Sequence, residues 1–344
     1  KISYNDPSRE GYSWKNNLLG FEWLQVYDAP LFSRLGISLS KFEGKIIPNE
    51  SNLKPLTNDL QDVTISFDLN AVFNSKDQVD FGLMIKLLSA KLFMENKTGV
   101  ESDIDRFAGN ISIYGKYKLL RYENFGLDIG SRLNVTGINS NTGGTFEPRI
   151  SFTYNPYDDL IFKGSTGIYI QEVSTLTDED EIISIFDPWI IIPDYLDPAK
   201  SFSYSGGIQY NFSPDVNIQI EGYHRNSTNV PVTNDEKYFS FDPDLVSSSQ
   251  ESYGWEFRFN LQDNLYSITT SYSLSWAYKK VNDYTYYPKY DTRHAGNIMF
   301  EFNPGNAWSL SSVWSLYSGL PFTCLLYTSP SPRDRTRYRM PSSA

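Results

Sequence analysis

The sequence predicts an all-β fold, an antiparallel transmembrane β-barrel present as a partial wall of about fourteen strands. Three features predict it. Long stretches alternate apolar with polar residues, the links between them alternate short and long, and 16% of the chain is aromatic, with 25 Tyr, 22 Phe and 7 Trp. Side chains alternate faces along a strand, so sustained alternation describes one strand with a different solvent on each side. Tyr and Trp carry an apolar body and a polar tip, which suits a membrane–water interface.

From the N-terminus, weaker alternation covers 14–27, 31–44, 63–73 and 78–94. It sharpens at 105–119, where Phe107, Ile111, Ile113, Tyr117 and Leu119 oppose Arg106, Asn110, Ser112, Lys116 and Lys118. Over 124–136, Phe125, Leu127, Ile129, Leu133 and Val135 oppose Asn124, Asp128, Arg132 and Asn134. Stretches 147–155 and 159–173 repeat the pattern more faintly. At 201–212, Phe202, Tyr204, Ile208, Tyr210 and Phe212 oppose Ser201, Ser203, Ser205, Gln209 and Asn211, and 214–227 follows. At 253–261, Tyr253, Trp255, Phe257, Phe259 and Leu261 oppose Glu256, Arg258 and Asn260. The strongest strand is 264–278: Tyr266, Ile268, Tyr272, Leu274, Trp276 and Tyr278 lie opposite Ser267, Thr269, Ser271, Ser273 and Ser275. That run exceeds the usual strand of roughly 5–6 residues. Strands at 293–303 and 307–318 complete the series.

Short turns rich in Asn, Asp, Pro and Gly, as tight turns require, fall at 27–30, 74–77, 121–124, 156–159, 213–215, 262–264 and 303–306. Longer links fall at 45–62, 95–104, 138–146, 174–200, 228–249 and 282–290. A barrel has this asymmetry, with short periplasmic turns and longer outer loops. The charges Arg106, Lys116, Asp128, Arg132, Arg149, Lys163, Glu221, Glu256, Arg258 and Glu301 share the polar faces. A dry core would not tolerate so many charges, whereas a wet or plug-filled lumen accepts them.

The formal net charge of -11 argues against a nucleic-acid partner. The mean hydropathy of -0.41 and the lack of any long apolar run exclude transmembrane helices but not barrel strands. The one cysteine, Cys324, rules out a disulfide framework. The start, Lys1-Ile2-Ser3-Tyr4-Asn5, lacks the basic and apolar segments of a signal peptide, so an exported barrel would begin upstream. From Cys324 the alternation stops and the charge turns basic, with Arg333, Arg335, Arg337 and Arg339. We read 1–323 as barrel and 324–344 as a non-native tail resembling sequencing-adapter read-through. On this reading the chain is a fragment cut at both ends.

Several stretches resemble, in order, the C-terminal half of a TonB-dependent outer-membrane receptor of the kind abundant in Bacteroidetes-like bacteria. Glu147-Pro148-Arg149 resembles the family's "EPR" strand, and Gly167, Tyr169 and Gln171 resemble the strand after it. Asp187-Pro188-Trp189 to Pro198 resembles a long loop, and Tyr204-Ser205-Gly206-Gly207 the strand that follows. Gly222-Tyr223-His224-Arg225-Asn226 resembles a strand end, Gly254-Trp255-Glu256-Phe257 a "G-x-E" signature, and Tyr272 to Ala277 a "Y-S-x-S-x-A" strand. Asp291-Thr292-Arg293-His294 and Ser318-Gly319-Leu320-Pro321-Phe322-Thr323 complete the set. The resemblance implies an integral protein of the Gram-negative outer membrane that takes up a scarce solute, an iron-siderophore, cobalamin or glycan. It implies contact with outer-membrane lipid and a plug through which the TonB-ExbB-ExbD complex supplies energy. A surface lipoprotein is a further candidate partner. The plug, the TonB-box and the last strands are not recognisable in this sequence. The rival reading is a passive porin or a structural or adhesive barrel.

No cofactor and no enzyme activity is expected. His224 and His294 have no Cys or His at metal-ligand spacing, and a nucleophile-elbow motif is missing. The ligand-binding candidates lie in loops. Asp178, Glu179, Asp180 and Glu181 form an acidic run before Trp189 and Ile190-Ile191-Ile192, which could hold a cation or ligand. A solvated loop tip explains the run better. Tyr284, Tyr286, Tyr287 and Tyr290 could stack on a ligand ring, or form part of an interfacial belt.

Overall fold

In the computed structural model, the described residues are 11–27, 30–47, 55–73, 76–96, 99–136, 144–177, 187–305 and 308–321. Residues 324–344, expected above to be a non-native tail, lie outside them. Among the described residues seventeen strands form: β1 (Gly11–Val26), β2 (Leu31–Ile47), β3 (Leu56–Val72), β4 (Gln78–Glu95), β5 (Glu101–Leu119), β6 (Phe125–Thr136), β7 (Thr145–Tyr157), β8 (Leu160–Gln171), β9 (Val173–Thr175), β10 (Trp189–Ile191), β11 (Ala199–Ser213), β12 (Val216–Thr233), β13 (Leu245–Gln262), β14 (Tyr266–Val281), β15 (Tyr284–Tyr286), β16 (His294–Gly305) and β17 (Trp308–Tyr317). One antiparallel sheet runs β1 to β8, then β11 to β14, β16 and β17, with β15 paired to β14. The small hairpin β9–β10 stands apart from it. The fourteen strands of the main path correspond one to one with those read from the alternation.

The register keeps the apolar faces together. Ile37, Ile65, Ile85 and Ile111 form one row across β2 to β5. Ile208, Ile220, Phe257 and Tyr272 form another across β11 to β14. A one-residue slip in any pair would move a whole apolar set to the other face, so the pattern pins the register. These rows make the outward face of the wall, and the Ser267–Ser275 face of β14 lies on the opposite, lumen side.

Several strands extend beyond the predicted limits. β3 begins at Leu56, β5 at Glu101 and β13 at Leu245, while β12 runs on to Thr233. The added segments carry polar residues on both faces, which erases the alternation. On the outward face near the long-link ends, Lys41 pairs with Glu43 at 2.6 Å and with Asp59 at 3.3 Å, and Lys91 pairs with Asp105 at 2.7 Å. Such exposed pairs stabilise little. The asymmetry of the links is correspondingly smaller than predicted. The β4–β5 link, 96–100, is as short as the β3–β4 turn, 73–77. What distinguishes the two ends is mainly strand height.

At the short-turn end, Asp77 clamps two turns together. Its carboxylate accepts from Leu120 N at 2.9 Å, Arg121 N at 3.1 Å, Arg121 Nε at 2.9 Å and the Tyr117 hydroxyl at 2.6 Å. The Arg121 guanidinium first, and Tyr117 second, hold the Asp77 carboxyl well below the usual carboxylate range, against the opposing effect of burial. A depressed folded pKa adds stability that is complete above the unfolded value of about 4 and fades as pH falls through the folded one. Asp77→Asn should therefore melt below the parent at pH 7, with the gap closing below about pH 4. Thermal unfolding of the detergent-solubilised protein at pH 7 and pH 3 checks this, and equal melting at pH 7 would refute it.

Candidate solute site at the outer mouth of the lumen

The buried apolar core lies inside the wall rather than between two sheets. Leu88, Ala90, Leu92 and Met94 share the lumen face of β4, next to Ile104 and Ala108 of β5. In a wide barrel that face would be wet. Here it is covered by the β8–β11 loop, which folds inward as β9–β10 and buries Leu176, Ile190 and Ile191 against it. Leu245, at the start of β13, joins the same cluster. Ile190 is only 1% exposed, and burial of such a side chain is worth about 1.5–3 kcal/mol. The Ile190–Ile192 run was expected on a solvated loop and is instead buried, because the lumen face of β4 is itself apolar.

Polar side chains hold both crossing loops in place. Asn58 of β3 donates to Trp189 O at 2.8 Å and to Lys91 O at 3.1 Å, and accepts from Trp189 N at 2.8 Å. Arg106 pairs with Asp194 at 3.3 Å, and Asn110 donates to Glu172 at 3.3 Å. The β12–β13 loop, 234–244, is anchored through Lys237, whose Nζ donates to Asp244 at 2.5 Å and to Ser102 at 3.0 Å. Asn96 donates to Lys237 O at 2.9 Å. Tyr195 accepts from Leu245 N at 3.3 Å, and burial pushes its hydroxyl pKa above the usual phenol value.

Below the loops, a buried polar chain crosses β5, β6 and β7 on the lumen face. Arg132 donates to Ser112 at 2.7 Å and to Asn134 at 3.0 Å. Asn134 donates to Glu147 at 2.9 Å, and Arg149 donates to Glu147 at 2.7 Å and lies over the Tyr169 ring. Of the charges predicted to face the lumen, Arg132 and Arg149 thus sit in a satisfied network, which a buried polar group requires. The two motif charges Glu147 and Arg149 serve as wall braces.

Between the β9–β10 hairpin and the lumen faces of β8 and β11 to β14 lies a cavity of about 410 Å3. Trp189, Tyr290, Arg225, Gln250 and Lys279 are among its lining residues, which include no Asp or Glu among the described residues. Trp189 and Tyr290, both candidates in the sequence, therefore meet at one site. The other tyrosines do not join them. Tyr287 packs on Tyr278 at 5.1 Å, with Arg293 at 5.2 Å from its ring centre. Tyr284 is 77% exposed, and Tyr286 pairs through its backbone with Lys279. Asp178, Glu179, Asp180 and Glu181 lie outside the described residues.

Tyr287 instead continues an outward aromatic ladder of Tyr204, His224, Tyr253 and Trp276, with successive ring centres 5.1, 6.2 and 5.3 Å apart. The ladder includes His224, which is bonded to Glu251 at 2.9 Å. His294 is bonded to the Tyr272 hydroxyl at 2.8 Å. Among the described residues no cluster of three or more His, Cys, Asp or Glu could hold a metal ion. Asp291 accepts from Ala277 N at 2.9 Å and pairs with Arg293 at 2.9 Å, so that motif braces the wall. The sequence reading passed over Tyr238, Phe239 and Phe241, which stand 65%, 60% and 82% exposed on the anchored loop. Three aromatics within a polar link were the available signal.

The profile of the family "TonB dependent receptor-like, beta-barrel" matches residues 119–339, more than half of the sequence. The chain belongs to this family of TonB-dependent receptor barrels. As such it is an integral protein of the Gram-negative outer membrane, and its sheet is a partial barrel of that type. The alcaligin outer-membrane receptor FauA of Bordetella pertussis superimposes with a TM-score of 0.60 at 13% identity, over 90% of this chain and 55% of its own. The siderophore receptor PirA of Pseudomonas aeruginosa gives 0.64 at 12%, over 90% and 56%. The ferric citrate transporter FecA gives 0.64 at 12%, over 89% and 49%. At these identities the likeness establishes the fold alone, and the receptor barrel described here spans about half the length of each. No curated protein sequence matches the chain.

Proposed function

We propose that the complete receptor takes up a scarce solute actively across the outer membrane, and that this chain supplies lumen wall and the outer solute site. The observation that carries this reading is the 410 Å3 cavity walled by an inward-folded loop, with Trp189 and Tyr290 at its edge. A cavity of this size suits small-molecule capture. Arg225 and Lys279 favour an anionic iron chelate over cobalamin or a neutral glycan. Energy would come from the TonB-ExbB-ExbD complex acting on a plug, and a surface lipoprotein could attend the loops. We also retain the proposal that 324–344 is read-through. The family match extends into it, and mass spectrometry of the C-terminus of the protein from its source organism separates the two.

Trp189→Ala in the full-length receptor should weaken binding of an anionic iron chelate about tenfold, equivalent to about 1.4 kcal/mol. Ring stacking and its share of desolvation account for a loss of that size. Calorimetry with ferric chelates, cobalamin and oligosaccharides measures it, alongside uptake by cells with and without TonB. Uptake independent of TonB, or an open conductance in planar bilayers, would favour the passive porin.

A further inference from the structure

The lipid-facing wall carries a furrow of about 670 Å3. Its floor follows one register row, Phe81–Gly115–Ser131–Pro148, and continues to Ile168 and Phe202. The three central residues are short, while Tyr117, Ile129 and Ile150 rise along one side. Pro148 gives up a ladder donor within a central strand, and its compact ring keeps the floor low. A volume in the range of small-molecule sites, on an outward apolar face, needs an apolar occupant.

We infer that this furrow binds one acyl chain of an outer-leaflet glycolipid. Three features support that occupant. The furrow belongs to the outward face that meets lipid along the whole wall. From β4 to β11 it crosses five inter-strand steps, about 24 Å, so it is long and narrow like a single chain. It also climbs. Gly115 lies four residues from the short-turn end of β5, and Phe202 lies eleven from that of β11. With strands tilted by about 35–45°, a register row about 24 Å long and perpendicular to them rises about 14–17 Å, close to one leaflet of a core about 30 Å thick. The upper end at Phe202 therefore opens toward the outer leaflet, and the lower end at Gly115 reaches the bilayer interior.

The test uses the full-length receptor purified from its own outer membrane in mild detergent. Native mass spectrometry and fatty-acid analysis of the bound lipid should find glycolipid acyl chains on the parent protein. Ser131→Trp and Gly115→Leu fill the floor from adjoining strands, and a side chain at 115 meets only Asp80 O at 3.8 Å. Each should lower glycolipid occupancy at least tenfold, while Thr270→Phe, on the same outward face but outside the furrow, should not. Unchanged occupancy in either furrow variant that retains its heat-modifiable fold overturns the assignment. So does a parent protein that carries only detergent or only glycerophospholipid, a result independent of whether the variants fold.

Discussion

Gly254→Val should abolish the folded wall, and Gly254→Ala should weaken it markedly. Gly254 sits on the lumen face of β13, opposite Ser275 of β14 and Tyr223 of β12. A Cβ at this position would stand 2.7 Å from Leu274 O, 3.0 Å from the Tyr223 hydroxyl and 3.1 Å from Ser275 Cα. Two of those atoms are backbone of the paired strand and cannot rotate away. The strands would have to separate locally, breaking ladder bonds that water or another strand cannot replace inside the wall. Overpacking alone costs about 1–3 kcal/mol, and each further methyl of Val adds to it. Gly222 offers a contrast, because its nearest contacts belong to the Trp255 ring, a side chain that can swing. We expect Gly254→Val to lose the heat-modifiable band on electrophoresis and Gly254→Ala to melt several degrees lower. Gly222→Ala should melt between the Gly254→Ala protein and the parent. A Gly254→Ala protein as stable as its parent would contradict the close approach.

The wall was legible because its physics is local. Tyr266 to Tyr278 announce both faces of β14 within one stretch, since lipid and lumen impose opposite polarity at alternate positions. The strand tops were not legible. Around Asp59 and Asp103 the outward face is polar and the lumen face is partly apolar under the inward-folded loop, so the period-two signal of a lipid-and-water strand disappears while the hydrogen-bond ladder continues. The site was legible only in part. Trp189 and Tyr290 drew attention as aromatics in loops, but the acidic run suggested ligand chemistry that falls outside the described residues. What fixes Trp189 is Asn58, 131 residues earlier. No local pattern carries a contact at that separation. The apolar lumen face of β4 was itself visible, in Leu88, Leu92 and Met94, as a breach of the alternation. An apolar patch on a face that should be wet predicts a cover, and Ile190–Ile192 was the apolar segment available to supply it.

Lys237→Met should release the β12–β13 loop from the mouth without unfolding the wall. The Lys237 side chain is 3% exposed, and it ties its own loop, at Asp244, to the start of β5, at Ser102 and Glu101 O. Methionine preserves the apolar stem but leaves the Asp244 carboxylate without its cation. Breaking a buried pair from one side costs about 3–5 kcal/mol. Asp244 keeps 27% exposure and some hydration, so a discounted figure of about 2–3 kcal/mol is appropriate. That cost falls on loop opening rather than on global stability, because opening leaves the long strand ladders intact. It raises the opened population roughly 30- to 150-fold. Leu245 follows Asp244 directly and packs in the cluster with Met94, so opening uncovers Met94. Met94→Cys in an otherwise cysteine-free receptor is therefore the reporter. Maleimide labelling on intact cells should be slow with Lys237 present and faster by that factor with methionine, and Asp244→Asn should give a smaller increase because the lysine keeps Ser102 and Glu101 O. Equal labelling in all three proteins would mean that the apolar cluster alone holds the mouth closed.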